Sequence, residues 1–257
     1  MELGIQGKVA LITGGSRGLG KQSAISLAKE GARVVICART QEGLDNTVTE
    51  LKKITEDVKG FVADVSNKEE CEGLYDQATQ LYGSIDILIN NAGGSRRGNI
   101  VSTTDEDWSS LVDLNLMSAI HMSRLVIPDM QSAEWGRIIN IASIWGREHG
   151  GGVAYMTTKA ALIALTKNTA LTYAKDGILV NCVAPGSISF PGGSWDKFQQ
   201  NQKPEDLEKF IEQNLPMGKF GWPEPVGDLV AYLSSNNAGI LTGACINIDG
   251  GQSRSLI

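Results

Sequence analysis

Val9-Ala10-Leu11-Ile12 runs directly into Thr13-Gly14-Gly15-Ser16-Arg17-Gly18-Leu19-Gly20, and this stretch decides the fold. A short unbroken apolar run suits a strand covered on both faces, as strands of parallel sheets are. Beyond the glycines, Lys21–Glu30 carries Ala24, Ile25, Leu27 and Ala28 at helical spacing and stops at Gly31. A strand, a glycine turn and a helix together make an anion site. Glycine lets the backbone approach a phosphate closely, and the helix N-terminus supplies N–H donors and positive potential. Two kinds of phosphate turn compete for this stretch. A P-loop, G-x-x-x-x-G-K-S/T, fits from Gly15 to Lys21 and then fails, because Gln22 stands where a magnesium-binding hydroxyl is needed. The strict G-x-G-x-x-G dinucleotide pattern also fails after Gly18-Leu19-Gly20. Taken alone, the turn can equally be only a tight connection.

The strand–helix alternation continues outward from it. Arg33–Ala38, Phe61–Ala63, Ile85–Ile89, Arg137–Ile141, Leu179–Val183 and Ala244–Ile248 read as strands. Gln41–Asp57, Asp105–Met130, Tyr155–Lys175 and Pro223–Ser234 read as helices. Ser66 with Glu69, and Thr103 with Glu106, have capping-box spacing and are expected to open two helices. Such alternation implies a single doubly wound α/β domain over residues 1–257, of Rossmann type, with about seven parallel strands and helices on both faces. Ligands of such sheets bind outside the carboxyl ends of the strands.

Composition narrows the function. With 23 basic against 29 acidic residues and a net charge of −6, the chain is not built for nucleic acid or an anionic membrane. The 30 glycines in 257 residues make about 12%, against an average of roughly 7%, so backbone is expected in tight places. The N-terminus shows no basic leader, and no apolar run reaches the ~18 residues of a spanning helix, so a cytoplasmic location is expected. Cys37, Cys71, Cys182 and Cys245 are far apart in sequence and read as reduced, buried thiols. With His121 and His149 isolated, no metal site is expected.

Thr-Gly-x-x-x-Gly-x-Gly after the first strand resembles the short-chain dehydrogenase/reductase family. Asp64, Asn90-Asn91-Ala92-Gly93, Asn115, Ser143, Tyr155-x-x-x-Lys159, Pro185-Gly186 and Asp249-Gly250-Gly251 follow in that family's order, so the resemblance covers nearly the whole chain. Within the family it is nearest to 3-oxoacyl-carrier-protein reductases and related NADPH ketoreductases. Tyr155 and Lys159, four apart, share a helix face, and a nearby ammonium is expected to lower a tyrosine pKa of about 10. The resemblance implies Tyr155 as acid/base, Lys159 as its tuner and ribose contact, and Ser143 as the hydrogen-bond partner of the substrate oxygen. It also implies that Asn115 positions the helix and a relay water. By chemistry alone, Tyr155 and Lys159 can be a surface pair, Ser143 a turn serine, and Asn115 a residue capping a local helix irregularity.

The implied cofactor contacts are Gly14, Ser16, Arg17, Gly18, Leu19 and Gly20 in the turn, then Asp64 and Val65 at the adenine. Asn91, Ala92 and Gly93 lie on the adenosine side, and Pro185, Gly186, Ile188 and Ser189 near the carboxamide, where Ser189 keeps the hydroxyl of the usual threonine. The second strand ends Cys37-Ala38-Arg39-Thr40 with no carboxylate for a ribose 2′-OH; Arg39, and with it Thr40, suits a 2′-phosphate. NADP(H) is therefore the expected cofactor. The alternative is that Arg39 only stacks on adenine and NAD(H) also serves.

Residues 187–222, with Pro191, Gly192, Gly193, Pro204 and Pro216, read as a substrate lid. Trp145 and Trp195 are candidates for an apolar pocket. Arg96, Arg97, Arg147 and His149 are candidates for an anionic substrate or a phosphopantetheine arm. The substrate is expected to be a small carbonyl compound or alcohol, with a carrier-protein or CoA thioester among the options. Asp129, Gln131 and Glu134 stand where carrier-protein reductases tend to be basic. A sugar or secondary-alcohol dehydrogenase and a non-catalytic NADP(H) sensor are the alternatives; the family implies a homotetramer. NADPH is expected to bind with a lower dissociation constant than NADH, and Arg39→Ala to lose most of that preference. Equal affinities in the parent, measured by fluorescence titration, would refute the assignment of Arg39.

Overall fold

The computed structural model describes residues 2–256 and contains one seven-stranded, all-parallel sheet in the order β3-β2-β1-β4-β5-β6-β7. Its strands are β1 (Val9–Thr13), β2 (Arg33–Ala38), β3 (Val58–Val62), β4 (Ile87–Asn90), β5 (Gly136–Ile141), β6 (Ile178–Pro185) and β7 (Cys245–Ile248). Between them run α1 (Gly18–Lys29), α2 (Gln41–Leu51), α3 (Lys68–Tyr82), α4 (Asp105–Val112), α5 (Ser118–Ser132) and α6 (Val153–Tyr173). Three more helices, α7 (Ser194–Asn201), α8 (Pro204–Asn214) and α9 (Pro223–Leu233), lie between β6 and β7.

The apolar runs are continuous because successive side chains enter two different cores. On β1 and β2, Ala10, Ile12, Val34 and Ile36 pack with Ala24 and Leu27 of α1 and Val226 and Val230 of α9. Val9, Leu11, Val35 and Cys37 pack instead with Cys71 and Leu74 of α3, Met122 and Val126 of α5 and Ala170 of α6. The expected doubly wound architecture is present. No helix among the described residues is long and apolar enough to cross a membrane.

Several expected boundaries move, each for a tertiary reason. α2 stops at Leu51 rather than Asp57, and β3 starts at Val58 rather than Phe61. The Asp57 carbonyl accepts the Val34 N–H at 2.8 Å, which draws these residues into the sheet. The caps of α3 and α4 sit one residue later than expected. Asn67 and Thr104 accept the amides of Glu70 and Asp107, whereas the Ser66 hydroxyl donates to Asp64 and that of Thr103 to the Asn99 carbonyl. The single helix expected over Asp105–Met130 is split into α4 and α5 by a π-helical turn, Asp113–Met117, around Asn115. The cysteines also depart from expectation. Cys37, Cys71 and Cys182 are buried, but Cys245 is half-buried, and its sulfur lies 3.2 Å from that of Cys182.

At the switch point, β1 and β4 diverge from neighbouring positions to walls on opposite sides of a crevice. The Thr13 hydroxyl fastens them: it accepts the amides of Asn91 and Ala92, both at 3.0 Å, and donates to the Ile89 carbonyl at 3.3 Å. Thr13→Val keeps the shape and leaves the Ala92 amide without its acceptor, a loss of about 1–3 kcal/mol, while the Asn91 amide keeps the Ile89 carbonyl at 3.1 Å. Chemical denaturation should show a loss of about 1–3 kcal/mol for Thr13→Val and a smaller loss for Thr13→Ser. Equal stability of the two variants would contradict this role for the hydroxyl.

Candidate active site

A cleft of about 810 Å³ opens at the carboxyl ends of β1, β2, β4, β5 and β6. It starts at the glycine turn. Gly14 has φ +65, and a Cβ there would stand 3.1 Å from the Ala92 backbone, so only glycine fits the turn against the β4 loop. Gly14, Ser16, Arg17 and Leu19 line the cleft, but Gly18 and Gly20 do not. Gly20 instead lets α1 close on Asn91, with a Cβ position 2.4 Å from its side-chain nitrogen. At Gly18 the corresponding atom would strike the Phe190 ring at 2.5 Å. These two glycines shape the site without walling it.

Arg39 and Thr40 line the far end of the cleft, and both are exposed. Asp64 and Val65 line its side, with one Asp64 carboxylate oxygen accepting the Ser66 amide and hydroxyl at 3.0 and 2.7 Å. Asn91, Ala92 and Gly93 follow. The Asn91 side chain is turned away to hold the carbonyls of Thr13 and Gly14, at 2.8 and 3.1 Å. Pro185, Gly186 and Ile188 form the opposite wall, whereas Ser189 lies outside the lining and accepts a hydrogen bond from Gln199. Among the lining residues, Arg17, Arg39, Arg96, Arg97 and Lys159 are cationic, and Asp64 is the one carboxylate. On a chain of net charge −6, that makes the cleft a local attractor for phosphates.

Ser143, Tyr155 and Lys159 meet at the inner end. Ser143 ends the loop after β5 and caps a short helical turn by accepting the Trp145 amide at 3.2 Å, and it also bonds Tyr155. Ser143 is thus a turn serine whose hydroxyl also reaches the phenol. Lys159 is 4% exposed and donates to the Ile141 carbonyl at 2.7 Å. Its nitrogen stands 5.8 Å from the Tyr155 ring centroid. Burial lowers the Lys159 pKa to about 8. The Tyr155 pKa is raised, not lowered as the sequence suggested, because desolvation of the phenol outweighs the bond from Ser143. Asn115 is not in the lining. Its carboxamide accepts the Gly94 amide at 2.8 Å and donates to the Gly94 carbonyl and the Thr158 hydroxyl, at 3.0 and 3.1 Å. It thus ties the β4 loop to α6 at the residue next to Lys159.

Trp145 and Trp195 both line the cleft, with ring centroids 6.0 Å apart, and Trp145 meets Tyr155 edge-on at 6.4 Å. Of the four mouth cations expected, Arg96 lines the cleft and pairs with Asp107, and Arg97 lines it exposed. Arg147 reaches back to the Cys245 carbonyl and Asn247, and His149 is outside the lining. Phe190 escaped the sequence reading. It roofs the glycine turn from inside a Pro/Gly-bearing stretch, where no periodicity marks an aromatic as functional.

Comparison with known proteins agrees with this geometry. The family model of the short chain dehydrogenases matches residues 8–202. The chain belongs to the short-chain dehydrogenase/reductase family. It is 36% identical to a hydroxy(phenyl)methylsuccinyl-CoA dehydrogenase subunit of Thauera aromatica, over 98% of each chain. It is 34% identical to a 3-oxoacyl-(acyl-carrier-protein) reductase of Thermotoga maritima, over 96% of this chain and 98% of the relative. Its structure matches L-sorbose reductase from Gluconobacter frateurii, solved with NADPH and L-sorbose, with a TM-score of 0.91 and 32% identity over 100% of both chains. As a member of this family the chain is an oxidoreductase of carbonyl and alcohol groups.

In the cofactor-free protein, burial should make Lys159 lose its proton as pH rises through about 8, well below the ordinary lysine value of 10.5. An NMR titration of the lysine side chains, with the signal assigned by its loss in Lys159→Met, checks this. A midpoint at 10 or above would show that the ammonium is not desolvated.

Proposed function

We propose that this protein is an NADP(H)-dependent oxidoreductase whose substrate is a ketone or secondary alcohol, a 3-oxoacyl thioester or a related small carbonyl compound. The observation that carries the reading is the convergence of Ser143, Tyr155 and Lys159 on one cleft that begins at the glycine turn and ends at Arg39. The lining fits a phosphorylated dinucleotide. Its turn admits no Cβ at Gly14, β2 ends without a carboxylate, and exposed Arg39 forms no ion pair among the described residues. The neighbour solved with NADPH supports the same choice. Arg17, Ser16, Arg39 and Thr40 would hold the phosphates, and Tyr155, Lys159, Gly186 and Ile188 the nicotinamide end. When bound, the nicotinamide supplies or takes a hydride at carbon.

The chain's own residues handle the substrate oxygen. Ser143 donates a hydrogen bond to it, and Tyr155 gives it a proton in reduction or removes one in oxidation. Charged Lys159 favours the phenolate over the phenol and so eases proton loss from Tyr155. Asn115 is a positioning residue, holding the Gly93–Gly94 loop against α6. Residues 187–222 form the substrate lid, with Trp145 and Trp195 walling the reacting centre. Docking of a large acidic carrier finds little support near the end of α5. There, Arg137 is 4% exposed, stacked on Trp135, and spends its donors on main-chain carbonyls. A free small molecule or CoA thioester fits better. The likeness to L-sorbose reductase favours a second reading as a sugar dehydrogenase.

Tyr155→Phe should lower kcat by about 10²–10⁴-fold while leaving NADPH binding nearly unchanged. The assay follows NADPH oxidation with acetoacetyl thioesters, diketones, aldehydes and keto-sugars. Comparable turnover in the variant would remove Tyr155 from its role. A parent that binds NADPH and turns over nothing in the panel would favour the sensor.

A further inference from the structure

The reaction leaves unused a pair of thiols behind the Lys159 helix. In the parallel ladder of β6 and β7, Cys182 stands opposite Cys245, so their side chains leave the sheet on one face. That face packs with Ala119, Ala142 and Leu162, and the two sulfurs lie 3.2 Å apart. Neighbouring strands stand ~4.8 Å apart, inside the Cα separation of ~4.4–6.8 Å at which two cysteines can be bridged. Forming a bond of ~2.05 Å requires the sulfurs to approach by only about 1 Å.

The pair is asymmetric in a way that suits stepwise oxidation. Cys182 is buried on β6, one strand in from the edge, whereas Cys245 is half-buried on β7, the edge strand. Arg147 crosses to β7 and donates to the Cys245 carbonyl at 3.0 Å and to Asn247 at 2.7 Å, bringing a guanidinium beside the thiol. The hydrogen bond from Cys182, together with Arg147, holds the Cys245 thiol below its ordinary pKa against desolvation, and Cys182 is pushed up. Cys37 and Cys71 are buried, and their thiols are pushed up to about 12 and about 11. They are protected by the same reasoning.

We propose that Cys182 and Cys245 form an oxidative modification site that closes to an intrachain disulfide in response to a hydroperoxide. The Cys245 thiolate attacks the terminal peroxide oxygen, and the O–O bond breaks. This gives a sulfenic acid and an alkoxide or hydroxide, which takes up the thiol proton. The Cys182 sulfur then attacks the Cys245 sulfur and expels water. Two thiols lose two electrons and two protons, and the hydroperoxide becomes an alcohol (or water) plus water. The bond has a structural consequence for the cleft. β7 holds the Gly186 amide through the Ile248 carbonyl, and Gln252 just beyond holds the Ser187 amide at 2.8 Å. Oxidation therefore fixes the strand that supports this wall and closes a ring, residues 182–245, containing the whole lid.

The test treats the reduced full-length protein with a small molar excess of hydrogen peroxide. Remaining thiols are then alkylated in denaturant, and the non-reduced digest is read by mass spectrometry. Expected are joined peptides carrying Cys182 and Cys245, reversed by dithiothreitol, with Cys37 and Cys71 recovered alkylated. In Cys182→Ser, dimedone should label Cys245 as the trapped sulfenic acid. Recovery of both cysteines as alkylated thiols, under conditions that fully oxidise free glutathione, would overturn the proposal. So would a Cys245–Cys245 bond between two copies, or oxidation of Cys37 or Cys71 ahead of Cys245.

Discussion

One hydroxyl, that of Thr13, sits where the winding of the sheet reverses, and the cleft depends on it. β1 is flanked by β2 and β4, and the loops leaving β1 and β4 must separate to make a crevice yet stay in register. Thr13 accepts two amides of the β4 loop, and the Asn91 carboxamide returns two bonds to the β1 loop. A crevice is opened and stapled by the same few atoms. The glycines of the turn are a consequence of this contact. At Gly14 and Gly20 a Cβ would run into Asn91, so the phosphate turn is glycine-rich as much for protein packing as for a ligand.

The inner end of the cleft is governed by burial. Placing Lys159 at 4% exposure with one carbonyl partner disfavours its charge, and desolvation likewise disfavours the Tyr155 phenolate. Burial therefore weakens the interaction that the helical spacing of Tyr155 and Lys159 suggests. On the proposed reading, acceptor oxygens of a ribose at the Lys159 nitrogen would hold its charge against burial and strengthen the pull on the phenol. Activation of the tyrosine is then coupled to occupancy of the cleft. Spacing alone conveys the adjacency of the two side chains, but not the solvent term that dominates both.

What was legible in the sequence follows from the range of the forces involved. The strands were visible because burial on both faces leaves unbroken apolar runs, and Arg33–Ala38 is a strand over its whole expected length. The ends of α2 and β3 were not visible, because the deciding bond, Val34 to Asp57, joins residues far apart in the chain. The π-helical turn was legible only as the alternative reading of Asn115 at a helix irregularity, and its bonds to Gly94 exist only in the fold. Motif residues such as Ser143, Tyr155 and Lys159 were legible by order and spacing and do meet. The fates of Arg96 and Arg147 were not, since each finds its partner, Asp107 or β7, only in the fold. Cys182 and Cys245 met for a similar reason: strand register is a tertiary property.

The same distinction explains why the chemistry is easier to read than the substrate. The segment proposed as a lid, residues 187–222, leaves the sheet and returns at a bridge, Ile188 to Gly221, which pins its two ends together. Between them Trp195, Phe198, Phe210 and Phe220 form an aromatic cluster of their own, with centroids 4.9–6.0 Å apart. Its aromatic contact with the fixed scaffold is Trp195 against Trp145, beside Tyr155. Phe190 over Gly18 and Met217 against Gly250 also join the segment to the scaffold, but the tryptophan contact is the one beside Tyr155. A substrate entering beside Tyr155 meets that contact first. On the proposed reading, selectivity rests on how two tryptophan rings separate, a property of packing that no motif encodes, whereas proton transfer rests on residues whose spacing the chain displays openly.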